Sequence, residues 1–122
     1  MKKAVCALIL RNGKALCVSR KDDHNDFGMP GGKVDGNESL EDAMEREVLE
    51  ETGYSVIHTS EMTFTHQCGS HEVTTFLCRI SDINAGVDDT ETGLVEWLDP
   101  TVLLTGSFAA YNNLALKHFG VI

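Results

Sequence analysis

The chain has 122 residues, of which 42% are hydrophobic and 24% charged, and it carries a formal net charge of −9. That length holds one hydrophobic core over residues 1–122 and excludes a two-domain reading, while the composition excludes a disordered chain. The acidic balance argues against a duplex nucleic-acid partner, which needs a basic surface to displace counterions from phosphates. A small anionic ligand remains open if local Lys, Arg or a bound metal offsets the field.

In chain order, residues 4–10 and 15–19 are short runs rich in Val, Leu and Ile, separated by "RNGK". Asn12 and Gly13 suit a tight turn, so a hairpin is expected. Residues 21–32 combine charges with Asn25, Gly28, Pro30 and two glycines and read as a surface loop. Ser39 or Asn37 caps a helix running to about Thr52, where Gly53 supplies the stop. Residues 55–65, 72–80 and 94–98 read as strands between the turns "CGSH" and "INAG". Asp99 and Pro100 open a short helical turn, and residues 108–119 form a terminal helix. The pattern predicts an α/β (α+β) fold with a single mixed sheet between helices.

Cys6, Cys17, Cys68 and Cys78 form no Cys-x-x-Cys pair and lie in apolar contexts, so they are expected as reduced core residues rather than a zinc site. No apolar run approaches the roughly 18 residues that span a bilayer. The first 18 residues lack a small-residue cleavage site. Cytoplasmic localisation without membrane association is the expectation, as a monomer or homodimer.

The helix from residue 40 breaks the usual amphipathic pattern. With Leu40 at zero and about 100° per residue, Ala43, Met44 and Val48 define an apolar stripe within roughly 80° of it. On the same wheel Glu47 and Glu51 fall inside the stripe and Glu50 borders it, whereas Glu41, Asp42 and Glu45 point elsewhere. Inward carboxylates are costly unless paired or metal-bound, and neighbours of like charge raise one another's pKa. Arg46 supplies a single positive charge. The missing charge is best supplied by a divalent cation, and oxygen donors suit Mg²⁺ or Mn²⁺ better than zinc. Such a site suits phosphoanhydride hydrolysis, with phosphate esters and carbonyl substrates left open.

The run from Gly32 to Tyr54 resembles the 23-residue box of the Nudix hydrolases. Gly32, Glu38, Arg46, Glu47, Val48, Glu50, Glu51 and Gly53 all match at the family's spacing, and only Tyr54 departs, where an aliphatic residue is usual. The resemblance implies a mixed β-sheet sandwiched between α-helices, with a loop-helix-loop metal site and cleavage of a nucleoside diphosphate linked to another group. In the roles it implies, Glu47, Glu50 and Glu51 are the metal and general-base carboxylates, with Glu47 assigned as base. The Gly31 carbonyl is a further ligand, Arg46 orients the glutamates, and Glu38 braces the loop.

Outside residues 32–54 the chain is similar to the MutT branch, the small nucleoside triphosphate pyrophosphohydrolases. "TETGLVEWLDP" places Glu91 where a loop glutamate completes the metal site in that branch, with Asp89 and Glu96 as substitutes. "SFAAYNNLAL" resembles the segment whose asparagine reads the nucleobase, here Asn112, although an asparagine there equally caps a helix. Arg20 and Lys33 are candidate phosphate contacts. Phe27, Phe64, Phe76 and Phe108 are expected in the core rather than as base-stacking residues, although Phe27 and Phe108 sit beside motif loops, and His66 and His71 are expected as strand residues or in the base pocket. The alternatives are another nucleoside diphosphate derivative (ADP-ribose, a nucleotide sugar, a dinucleotide or a 5′ cap), or a noncatalytic nucleotide sensor.

Overall fold

The computed structural model describes residues 2–87 and 93–122. Its described elements are strands β1 (Lys2–Arg11), β2 (Lys14–Ser19), β3 (Phe27–Gly28) and β4 (Gly31–Lys33), helix α1 (Leu40–Thr52), strands β5 (Tyr54–Cys68), β6 (His71–Asn84) and β7 (Val95–Leu98), a 3-10 turn (Pro100–Leu104) and helix α2 (Ala109–His118). No helix among the described residues is long and apolar enough to cross a membrane.

The sheet is organised around β1. Its residues pair in parallel with β6 from Lys2↔His71 to Ile9↔Cys78. On the other edge Ala4, Val5 and Cys6 pair antiparallel with Lys33, Gly32 and Gly31 of β4. A strand bonded on both edges and covered on both faces reads as a continuous apolar run, which is what Val5 to Ile9 presents. The hairpin to β2 closes through Asn12 and Gly13, both at positive φ, the backbone of a two-residue turn that matches strand twist. β2 carries β3 and β7 in turn.

Alternation along β1 divides the core between the helices. Val5, Ala7 and Ile9 pack with Ala43, Met44 and Val48 of α1. Cys6 and Leu8 face the other way, toward Tyr111 and Ala115 and toward Leu116 of α2 respectively. Burying side chains the size of Met44 and Val48 stabilises the fold by about 1.5–3 kcal/mol each, which fixes α1 against the sheet. The sheet lies between α1 and α2, as expected.

Helix α1 begins and ends where the caps predict. Ser39 Oγ accepts from the Asp42 amide, and Gly53, at φ 78°, donates its N–H to Leu49 O. Glu45 is exposed, in keeping with its wheel position.

Two segments depart from the sequence reading. The loop over residues 21–32 contains β3 and the start of β4, because Phe27, Gly28, Gly31 and Gly32 bond to β2 and β1 through their backbones. Strands this short, half of them glycine, have no side-chain alternation to reveal them. β6 also continues beyond residue 80 into the first half of the expected turn, through Ile83 and Asn84, because Asn84 pairs with Tyr54 and its Nδ2 donates to Thr52 O at 2.8 Å.

Candidate active site

The site is assembled on the two sides of β4. Arg46, projecting from α1, donates Nε to Glu38 Oε2 at 2.7 Å and Nη2 to Glu38 Oε1 at 2.9 Å, a bidentate pair. Its Nη1 donates to Glu47 Oε1 at 2.9 Å and Glu50 Oε2 at 3.2 Å. Nη2 also reaches Lys33 O and the Asp35 carboxylate. The guanidinium therefore clamps the glutamates of α1 to the loop that leads into it. The Arg46 bonds, with a second from the Asp35 amide, hold the Glu38 carboxyl down at about 2.

Glu47 and Glu51 turn inward, as the helical wheel requires, and Glu50 stays on the rim, with 57% of its side chain exposed against 15% for Glu47. Burial raises the Glu47 carboxyl above its ordinary range, with Arg46 pulling the other way. Glu51 is pushed up to about 8, first by burial and then by the charges of Glu47 and Glu50, against one stabilising bond from the Gly31 amide at 3.1 Å.

The two glycines of β4 are explained by contact rather than by turn geometry. A Cβ on Gly31 would lie 2.1 Å from Val5 O, and one on Gly32 would lie 2.6 Å from the Glu47 carboxyl carbon. Any side chain at position 32 would displace Glu47.

A cavity of about 310 Å³ opens on β4, with Gly31, Gly32 and Lys33 in its wall. Phe108, Tyr111 and Asn112, at the start of α2, form another side. Asn112 is 2% exposed and lies within α2, so it does not cap the helix. Its Nδ2 donates to Leu103 O at 3.0 Å, and this is its only side-chain hydrogen bond among the described residues. Tyr111 spends its hydroxyl on the protein, bonding Thr75 Oγ1 at 2.7 Å and donating to Val73 O.

The structure thus gathers Gly31, Gly32, Lys33, Glu38, Arg46, Glu47, Glu50, Glu51 and Asn112 around one strand and one cavity. Gly53 serves as the helix stop. Arg20 stands apart: it is exposed, bonded twice to Asp22, and absent from the cavity wall. Glu91 and Asp89 lie outside the described residues, and Glu96 is exposed on β7.

Of the other cavity residues, Cys68 is expected from the sequence in the core and Phe108 in the core before base stacking, whereas His71 is expected in a strand or the base pocket and lies both in β6 and on the cavity wall. Phe108 is 52% exposed and lines the cavity rather than packing in the core. Cys68 and His71 line it too, and they face each other across the Gly69–Ser70 turn. Cys6, Cys17 and Cys78 are buried, and all four thiols are free. Hairpin alternation around Gly69 was the available signal for Cys68 and His71.

The donor set fits a hard divalent cation chemically. Asp35, Glu38, Glu47 and Glu50 share the single Arg46 guanidinium, Glu51 pairs with no cation among the described residues, and all the donors are oxygen. Burial raises the Glu51 carboxyl most, and the charges of Glu47 and Glu50 add to it. In the rotamers present, Glu47 and Glu50 face Arg46 while Glu51 faces Gly31, and among the described residues no three acidic, imidazole or thiol groups converge to hold an ion.

The chain belongs to the NUDIX domain family, whose profile matches residues 1–119. It is 31% identical over 94 residues to a Bacillus subtilis (strain 168) protein named "Putative 8-oxo-dGTP diphosphatase", covering 76% of this chain. It is 29% identical over 99 residues to a "MutT-like protein" of Streptomyces ambofaciens, covering 80% of this chain. The chain spans 63% of the length of these curated relatives. Its fold is shared with a C. elegans Ap4A hydrolase, with a TM-score of 0.72 and 18% identity over 98% of this chain and 96% of that one.

Proposed function

We propose that residues 1–122 act as one domain that hydrolyses a nucleoside triphosphate to the monophosphate and pyrophosphate, with Mg²⁺ as cofactor and Mn²⁺ as a substitute. The observation that carries this reading is the shared wall: Gly31 and Gly32 line the cavity and also touch Glu51 and Glu47. A substrate in the cavity is thereby one strand away from the carboxylates.

Glu47, Glu50, Glu51, the Gly31 carbonyl and Glu91 would hold the cation. When bound, it neutralises charge on the phosphate oxygens and acidifies water. Glu47 takes the proton as water oxygen bonds to phosphorus and the bridging P–O bond breaks, the electron pair leaving with pyrophosphate. A half-buried carboxyl raised above its ordinary range suits this role better than a fully solvated one. Arg46 keeps Glu47 and Glu50 oriented, and Glu38 anchors Arg46. Lys33 on the cavity wall, and Arg20 once released from Asp22, contact the phosphate chain. Asn112, its carboxamide oriented by Leu103 O, offers Oδ1 to a donor on the base edge.

The test is hydrolysis of a nucleotide panel with Mg²⁺ and identification of the products. Pyrophosphate and a nucleoside monophosphate support the proposal. Turnover confined to ADP-ribose, nucleotide sugars, dinucleotides or capped ends would change the substrate class. Nucleotide binding with no hydrolysis across the panel would replace the enzyme with a sensor.

A further inference from the structure

The segment that enters α2 carries Phe108 and Asn112 into the cavity wall, and the helix starts without a side-chain cap. Phe108 occupies the cap position of α2 and makes no side-chain cap bond. The segment is tied by side-chain bonds to the loop that leads into β3. The Ser107 amide donates to Asp26 Oδ1 at 3.0 Å, and Ser107 Oγ donates to Asp26 Oδ2.

Asp26 is itself well fixed. It directly precedes β3, its amide donates to Asp23 O, and its carbonyl accepts from the Arg20 amide. The bonds from Ser107 hold its carboxyl below the ordinary carboxylate range, so it stays ionised across neutral pH. The approach of the two segments is close. A Cβ on Gly106 would sit 2.4 Å from Asp26 Oδ1 and 2.9 Å from Phe27 O, so a side chain there would separate them. Two residues further on, Phe108 leans toward β3: a Cβ on Gly28 would contact its ring at 3.8 Å.

Phe108 is a large aromatic side chain, half exposed at the edge of a cavity whose wall includes Asn112. Aromatic faces at such positions stack on planar ligands, whichever base they carry. We propose that Phe108 is a base-stacking residue of this cavity and that Asp26, acting through Ser107, is the positioning residue that holds it there. This inference rests on the nucleotide reading above and deepens it. Affinity for the nucleoside half of the substrate is then set partly by a loop carboxylate outside the Nudix-like run and outside the cavity wall.

The experiment compares wild type, Asp26→Ala, Asp26→Asn, Phe108→Ala and the Asp26→Ala/Phe108→Ala double variant under steady-state conditions with Mg²⁺. Inhibition constants for nucleoside monophosphate and for inorganic pyrophosphate are measured beside KM and kcat. Asp26→Ala and Phe108→Ala should each raise KM and the monophosphate constant roughly five- to twentyfold, the range expected from loss of one stacking contact. The pyrophosphate constant and kcat should stay within about twofold. Asp26→Asn should restore wild-type values, since its Oδ1 accepts from the Ser107 amide and its Nδ2 donates to Ser107 Oγ.

The double variant should be no worse than Phe108→Ala alone, because both act through one contact. Multiplying effects in the double variant, an equal rise in the pyrophosphate constant, or an unchanged KM in Asp26→Ala would each overturn the inference while leaving the hydrolase reading intact. Failure of the wild-type protein to bind or hydrolyse any nucleotide would overturn both. Circular dichroism and thermal melts of each variant separate loss of positioning from loss of folding.

Discussion

Glu51 gives the most demanding test of the electrostatic reading of the α1 carboxylates. Its carboxyl is raised from an ordinary 4.5 to about 8, chiefly by burial. A carboxyl whose folded pKa lies above its unfolded one contributes stability that is complete below pH 4.5 and is lost as pH rises through 8. At about 1.4 kcal/mol per tenfold, ionising Glu51 costs the metal-free fold on the order of 3–5 kcal/mol by pH 9, the lower figure allowing for relaxation around the charge. Glu51→Gln keeps the shape and the acceptor for the Gly31 amide while removing the ionisation.

The assay is urea unfolding of both proteins at pH 5, 7 and 9 in EDTA, repeated with saturating Mg²⁺. Wild type should lose stability relative to Glu51→Gln between pH 5 and 9, and Mg²⁺ should restore much of it to wild type alone. Hydrolysis by the variant should fall by orders of magnitude. Parallel stability profiles for the two proteins in EDTA would refute the reasoning, as would near wild-type turnover by Glu51→Gln.

Gly32→Ala should lower kcat at least tenfold with little change in the melting temperature of the folded protein, because its Cβ displaces the Glu47 carboxyl, and a crystal structure of the variant would show the glutamate moved. Arg46→Lys, which loses the bidentate pair with Glu38, should cut kcat more than it raises KM, measured on the preferred substrate. Glu38 is held near 2, so its contribution to stability is present above about 4.5 and lost as pH falls through 2; Glu38→Gln should flatten the acid limb of a thermal melt series. Asn112→Leu should weaken nucleoside monophosphate inhibition about tenfold while leaving pyrophosphate inhibition unchanged, measured by competition.

The acidic run of α1 was legible because helical periodicity alone sorts its members. Glu47 and Glu51 share the stripe of Met44 and Val48, and Glu45 does not, so the inward pair and the exposed bystander follow from about 100° per residue. The hairpin at Asn12 and Gly13 and the ends of α1 at Ser39 and Gly53 were equally local, each set by the conformational preference of one or two residues. The resemblance of residues 32–54 to the Nudix box rested on the same short-range spacing, and the family assignment agrees with it.

What local pattern could not decide is which surfaces meet. Gly31 and Gly32 look like loop glycines in the sequence, but pairing with β1 makes them a strand shared by the carboxylates and the cavity. The role of Gly32 depends on Glu47, 15 positions later, packing where a side chain would be. Phe108 read as core by its apolarity, yet it is exposed at the cavity, and the residue before it is bonded to Asp26, 81 positions earlier. Spacing within an element is fixed by backbone geometry, so sequence alone determines which way the α1 carboxylates turn. Contacts between distant segments depend on how the sheet brings β1, β3, β4 and α2 together, so only the tertiary structure decides what those carboxylates face and what shapes the cavity beside them.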